Sequence, residues 1–155
     1  MKLTVVAIGQ RQPAWAETAC EDYLKRFPPD WKVEVKALKA EPREGKPVPV
    51  IMQAEAVRIE AALGRDVRRV ILDERGSRLT SVELAQRVEV WLNDGRDVAF
   101  VIGGADGIDP ALKKTADETL RLSDLTLPHA LARVFLLEQL YRAWSLRNNH
   151  PYHRA

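Results

Sequence analysis

Apolar positions along this chain follow two rhythms that take turns, one of period two and one near 3.6, and the exchange between them predicts alternating strands and helices. Leu3 to Ile8 is a β-branched apolar run, and Pro13 to Phe27 then sets Ala16, Cys20, Tyr23 and Phe27 at helical spacing until Pro28-Pro29 stops it. Lys32 to Leu38 predicts a second strand. A polar loop containing proline and glycine, Lys39 to Val48, leads into a helix from about Pro49 to Leu63 that ends at Gly64. Val67 to Leu72 reads as the third strand and Val98 to Ile102 as the fourth. Between them, Thr80-Ser81-Val82-Glu83 has the capping-box pattern, in which hydroxyl and carboxylate each satisfy a free amide, and its helix runs to Asp94 with Gly95 as the stop. Asp109-Pro110 caps a short helix, Glu118 to Leu122 predicts a fifth strand, and Pro128 to about Arg147 forms the final helix.

This order predicts an α/β protein: a mostly parallel sheet with flanking helices. Strands three and four are nearly continuous apolar runs, as central parallel strands covered on both faces should be. In open sheets of this kind ligands bind beyond the carboxyl ends of the strands, which points to the loops after Leu72, Ile102 and Leu122. The middle loop, Gly103-Gly104-Ala105-Asp106-Gly107, is glycine-rich, so its backbone can approach a ligand closely. It lacks the G-x-G-x-x-G spacing and no G-K-[ST] follows, which argues against a dinucleotide or ATP site; taken alone, it is also an ordinary tight turn from strand to helix.

The final helix is apolar over more than one stripe. Phe135 and Trp144 exceed what one sheet-facing side can bury, which predicts either an isologous homodimer through this helix or a broad face covered by the chain's own loops.

Composition narrows the field further. The 155 residues predict one domain, 1–155, and the lone cysteine, Cys20, falls on the apolar face of the first helix. Neither a cleavable leader nor an apolar run of the ~20 residues needed to span a bilayer is visible, so the expectation is a cytoplasmic protein with no membrane association. The net charge is +2, but its distribution is uneven. No acidic residue follows Glu138, whereas Arg142, Arg147 and Arg154 do, with His150 and His153 among them; Arg65, Arg68, Arg69, Arg75 and Arg78 form a second basic stretch. Arginine's planar donors suit phosphate, so these are either a nucleic-acid surface or a solvated charged face. His150 and His153 flank Pro151-Tyr152, which breaks helical geometry, and no Cys or second carboxylate lies nearby, so no metal site is expected. His129, at the entrance of the last helix, could contact RNA or simply complete the helix start.

Several segments together carry a resemblance: Phe100 to Gly107, Leu122 to His129, Leu136-Leu137-Glu138-Gln139-Leu140-Tyr141-Arg142-Ala143, and His150-Pro151-Tyr152-His153. In this order, with Tyr23-Leu24-Lys25-Arg26-Phe27 and the total length, they make the chain similar over essentially its whole extent to the bacterial large-subunit rRNA pseudouridine N3-methyltransferases of the SPOUT superfamily. Members often have Pro-Glu where this chain has Ala105-Asp106, which removes one restraint on φ in the glycine loop. The resemblance implies a C-terminal trefoil knot, a homodimer, and S-adenosylmethionine held by Leu72, Gly103, Gly104, Leu122, Ser123, Asp124, Leu125, Thr126 and Leu127. It implies 23S rRNA, in the large subunit or the whole ribosome, as partner, with His129, Arg133 and Arg154 meeting RNA. His153, Tyr152, Arg142 and Arg154 become the catalytic candidates. Methyl transfer to N3 requires that its proton leave, and an imidazole with a reference pKa of ~6.5 suits that task at neutral pH. Arg142 and Arg154 could stabilise a developing imidate or clamp phosphate, and Tyr152 could stack on or hydrogen-bond the base. A non-catalytic ribosome-binding module and a small-molecule nucleotide enzyme are the competing functions; binding of S-adenosylmethionine separates all three.

Overall fold

Strands and helices alternate through the computed structural model, which describes residues 1–153. The elements are β1 (Lys2–Ile8), α1 (Ala14–Arg26), β2 (Lys32–Leu38), α2 (Val48–Ala62), β3 (Arg68–Arg78), α3 (Ser81–Asp94), β4 (Val98–Ile102), α4 (Pro110–Lys113), β5 (Glu118–Arg121) and α5 (His129–Arg147). The five strands form one parallel sheet in the order β2-β1-β4-β3-β5. Arg154 and Ala155 lie outside the described residues.

Local chemistry sets the boundaries. Thr80 Oγ1 accepts from the Glu83 amide at 3.1 Å while the Glu83 carboxylate accepts from the Thr80 amide at 2.9 Å, so the capping box is formed. Gly95 ends α3 with φ +82°, a conformation glycine adopts without steric cost. Asp109 starts α4 by accepting from the amides of Ala111 and Leu112.

The period-two alternation of the strands divides the core between the two faces of the sheet. Leu3, Val5, Val70, Val98 and Phe100 point into a cluster with Cys20 of α1, Val88 and Trp91 of α3, and Leu136, Leu137 and Leu140 of α5. Val6, Ile8, Ile71 and Val101 point the other way, onto Ala56 and Ile59 of α2 and Leu112 of α4. Burying each such side chain contributes roughly 1.5–3 kcal/mol, so both helical layers are held mainly by the sheet.

One expectation needs correction: β3 does not end at Leu72 but continues to Arg78, interrupted by an excursion over residues 73–76. Leu72 and Ser77 both pair with Leu120, so the chain leaves the ladder and rejoins it at the same point on β5. Gly76 makes the return possible: a Cβ there would lie 2.6 Å from the Leu120 carbonyl carbon and 2.7 Å from its nitrogen. Of the two readings of α5, cover by the chain's own segments accounts for part of its broad face. Trp144 stacks on Tyr141, with ring centroids 5.3 Å apart, and His150 from the following segment lies 5.1 Å away. Phe135 is half-buried beside Leu79, Leu84 and Leu120.

Candidate active site

A cavity of about 370 Å³ opens at the carboxyl ends of β3, β4 and β5, within the roughly 300–1,000 Å³ usual for small-molecule sites. Leu72, Ile102 and Leu127 give it apolar walls, Ser123 and Thr126 contribute hydroxyls, and His129 stands at the foot of α5 on its margin. The glycine loop forms one side. Gly104 and Gly107 pair as an antiparallel bridge, with the Gly107 amide donating to the Gly104 carbonyl at 3.0 Å, and Asp106 is held by Arg43 at 2.9 Å. The loop is therefore restrained even with Ala105 in place of a proline. Its glycines also answer to packing: a Cβ on Gly103 would lie 2.6 Å from Ile108 Cδ1, and one on Gly104 would lie 2.6 Å from Glu55 Oε1. Glu55 itself is only 4% exposed and accepts from the Glu41 amide at 3.1 Å.

The C-terminal segment builds a second polar cluster over the second half of α5. Tyr152 Oη donates to Glu138 Oε1 at 3.0 Å, and its oxygen is met at 3.0 Å by the Tyr23 hydroxyl, which is left to donate. The Tyr152 ring packs edge-on against Tyr141 at 4.7 Å. Arg142 donates through Nε and Nη2 to Glu138 Oε1 at 3.0 and 2.7 Å, with its guanidinium carbon 5.3 Å from the Tyr152 ring centroid. Burial, together with the hydrogen bond to Glu138, pushes the Tyr152 phenol well above its usual range, so its proton stays on. His153 lies against Ser145, and His150 against Trp144.

The His153 end of this cluster stands well away from the cavity within one chain. Sixteen residues of α5 separate His129 from Ser145, a distance of roughly 24 Å at ~1.5 Å per residue.

A family model described as "Predicted SPOUT methyltransferase" matches residues 1–153. The chain belongs to the SPOUT methyltransferase family. Proteins named "Ribosomal RNA large subunit methyltransferase H" are similar across its whole length: that of Methylibium petroleiphilum is 70% identical and that of Leptothrix cholodnii 63% identical, with 99% of each chain covered in both cases. A solved structure titled as a probable methylase family protein from Haemophilus influenzae Rd KW20 covers 99% of this chain and 70% of its own, with TM-score 0.56 and 16% identity, a likeness of fold.

Within this SPOUT methyltransferase the expected cofactor residues mostly converge. Leu72, Gly103, Gly104, Leu122, Ser123, Leu125, Thr126 and Leu127 all line the cavity. Asp124 is turned away, bound to Arg78 at 2.7 Å and to Arg121 at 2.9 Å. Arg133 departs furthest from its expected contact with RNA: it is 5% exposed, and its Nη2 donates to the Gly9 carbonyl at 3.0 Å. Its Nε has no partner among the described residues, and burial lowers its pKa, so in this chain it braces the loop after β1. Tyr152, expected to be free for a base, has its hydroxyl engaged, and Arg142 is committed to Glu138. Arg154 lies outside the described residues. The arginine-rich stretch is mostly consumed internally, with Arg68 on Asp94 and Glu118, Arg69 on Glu60, and Arg78 on Asp124.

Sequence reasoning missed Glu138, Ser145, Glu55 and Gly76. For Glu138 a signal existed: it stands four residues before Arg142, the helical spacing for an ion pair. Among the described residues no helix is long and apolar enough to cross a membrane, and no group of three or more His, Cys, Asp or Glu side chains could hold a metal ion.

Proposed function

We propose that this protein is an S-adenosylmethionine-dependent enzyme that methylates N3 of a pseudouridine in 23S rRNA, acting as a cytoplasmic homodimer on the large subunit or the assembled ribosome. The names of the 63–70% identical relatives support a large-subunit rRNA substrate. The observation that carries the reading is the cavity itself, formed by the three strand-end loops and of a size to take a nucleoside-sized ligand.

The residues present fit that ligand. Leu72, Ile102 and Leu127 offer an apolar bed, Ser123 and Thr126 offer polar anchors, and Glu74 on the cavity suits a cationic group, since Asp73 beside it is already paired with Lys113 at 3.1 Å. The bound cofactor would supply a methyl group carried on positively charged sulfur. Held there, it would supply that methyl to N3, whose proton must go to a base. His153 takes that proton. Its contribution lies in the ~10²–10⁴-fold range of general-base catalysis, less than the ~7–11 kcal/mol that correct positioning can supply. Arg142 and Glu138 fix Tyr152, and through it the segment that presents His153; the RNA-binding role is kept for His129 and for Arg154, which lies outside the described residues.

Because roughly 24 Å of helix separates Ser145 from His129, His153 serves the cavity of a second copy. An isologous pair sets each tail against its partner's cavity, which makes the homodimer a requirement of the chemistry. The test is calorimetry with S-adenosylmethionine, followed by transfer of radiolabelled methyl to 23S rRNA, with unmodified uridine at the target as control. No cofactor binding would sink the reading, and equal methylation of uridine would sink the pseudouridine assignment.

A further inference from the structure

Ser145 is fully buried in the last turn of α5, where its hydroxyl has three neighbours. Its Oγ lies 2.9 Å from the His150 carbonyl oxygen, 3.2 Å from the His153 amide nitrogen and 2.6 Å from His153 Nδ1. A hydroxyl has one proton and two lone pairs. A carbonyl can only accept, so the proton goes to His150; an amide N–H can only donate, so it takes one lone pair. Only a lone pair remains for Nδ1, and two lone pairs 2.6 Å apart would repel. All three contacts are satisfied together only if Nδ1 carries a hydrogen.

We infer that Ser145 is a positioning residue that holds neutral His153 as the Nδ1–H tautomer, leaving Nε2 as the nitrogen with the free lone pair. The inference rests on the proposal that His153 accepts the N3 proton, and it names the atom that does so. A neutral imidazole has one basic nitrogen, and the hydrogen bond made by the other nitrogen decides which it is. With Nδ1 facing the helix, a base on that side would be useless to a substrate; Ser145 turns the basic nitrogen to the opposite edge of the ring. His150 offers an internal contrast. Its Nδ1 lies 3.1 Å from the Tyr152 amide and must accept from it, which places the His150 proton on Nε2. Two histidines three residues apart are thus assigned opposite tautomers by their local partners.

The experiment is a two-bond 1H–15N correlation spectrum of the full-length 15N-labelled protein, at a pH where the rings are neutral; with His129, His150 and His153 the only histidines, single replacements assign the signals. The expected pattern is Nδ1–H for His153 and Nε2–H for His150. An Nε2–H pattern at His153 overturns the inference, whatever the catalytic outcome. Ser145→Ala should move His153 toward Nε2–H and lower kcat by roughly ten- to a hundredfold, below the ~10²–10⁴-fold ceiling for loss of a base, with the KM for S-adenosylmethionine unchanged. Unchanged kcat in a folded Ser145→Ala protein whose tautomer has shifted also overturns it. If His153→Ala keeps full turnover while the wild-type spectrum shows Nδ1–H, the proton-acceptor proposal fails and the tautomer assignment stands. The wild-type spectrum needs no variant to fold.

Discussion

Replacing Gly76 with alanine adds one carbon where the chain has no room for it. The new Cβ would stand 2.6 Å from the Leu120 carbonyl carbon, 2.7 Å from its nitrogen and 2.8 Å from the Thr119 carbonyl carbon. Non-bonded carbons settle at about 3.5–4.0 Å, so β3 and β5 would have to part by about 1 Å. All three obstructing atoms are backbone, and no rotamer change relieves them. Separation strains the pairs Ser77↔Leu120 and Arg78↔Arg121, which close the excursion. Overpacking typically costs ~1–3 kcal/mol, and with no flexible neighbour to yield the cost here is set at ~3 kcal/mol or more. For a chain of this size that is a fall in Tm of roughly 6–12 °C. Urea and thermal unfolding would measure it, with Gly64→Ala as control: there the nearest obstruction is a side-chain atom, Val67 Cγ1 at 3.3 Å, which can turn aside. Affinity for S-adenosylmethionine should fall as well, because Asp73 and Glu74 of the excursion line the cavity. A Gly76→Ala protein within ~1 kcal/mol of wild type would refute the close crossing.

Thr126→Trp should fill the cavity from its rim and abolish S-adenosylmethionine binding by calorimetry while leaving the unfolding midpoint near wild type; undiminished binding would move the cofactor elsewhere. Deleting residues 152–155 should keep cofactor affinity and remove methyl transfer, and mixing that protein with Thr126→Trp should restore about a quarter of wild-type activity, since half the re-formed pairs are hybrids with one complete site each. No recovery after subunit exchange would refute the shared site. Glu60 receives both guanidinium nitrogens of Arg69, at 2.7 and 2.8 Å, and those bonds hold its carboxyl below the ordinary range. Its stabilisation is therefore present above the unfolded pKa of ~4.3 and lost as pH falls through the lower folded value; the difference between wild type and Glu60→Gln, at most about 1 kcal/mol for so exposed a pair, should vanish in acid urea titrations.

Much of the fold could be read from the residues because local chemistry and global packing agree. The Thr80–Glu83 box, Gly95 and the apolar run of β4 each act over a few residues, and each stands where the pattern placed it. The continuation of β3 could not be read in the same way. Asp73 to Arg78 is polar and includes glycine, so its sequence looks like a loop; Ser77 and Arg78 rejoin the sheet only because β5, more than forty residues later, arrives to pair with them. The cavity was legible from topology, since parallel strands of one sheet bring their carboxyl ends together. The tail was legible as chemistry but not as geometry. Nothing in the spacing of Tyr152 shows that Tyr23, from the first helix, meets its hydroxyl, or that Ser145 has only a lone pair left for His153. Arg133 shows the opposite failure, where a cation on a basic helix looks destined for phosphate until burial among its own chain claims it.

The single unbroken helix α5 acts as a gauge. It starts at the cavity's edge and ends beneath the segment that carries His153, so its length fixes how far that segment stands from the cavity. One residue inserted into it would advance everything beyond by ~1.5 Å and swing it by roughly a hundred degrees, and in the proposed homodimer the same error would fall on both sites at once. Substitutions on its surface can drift, but its residue count cannot. Length variation in such a protein belongs instead in segments such as 39–47, where an extra residue leaves the span of α5 unchanged.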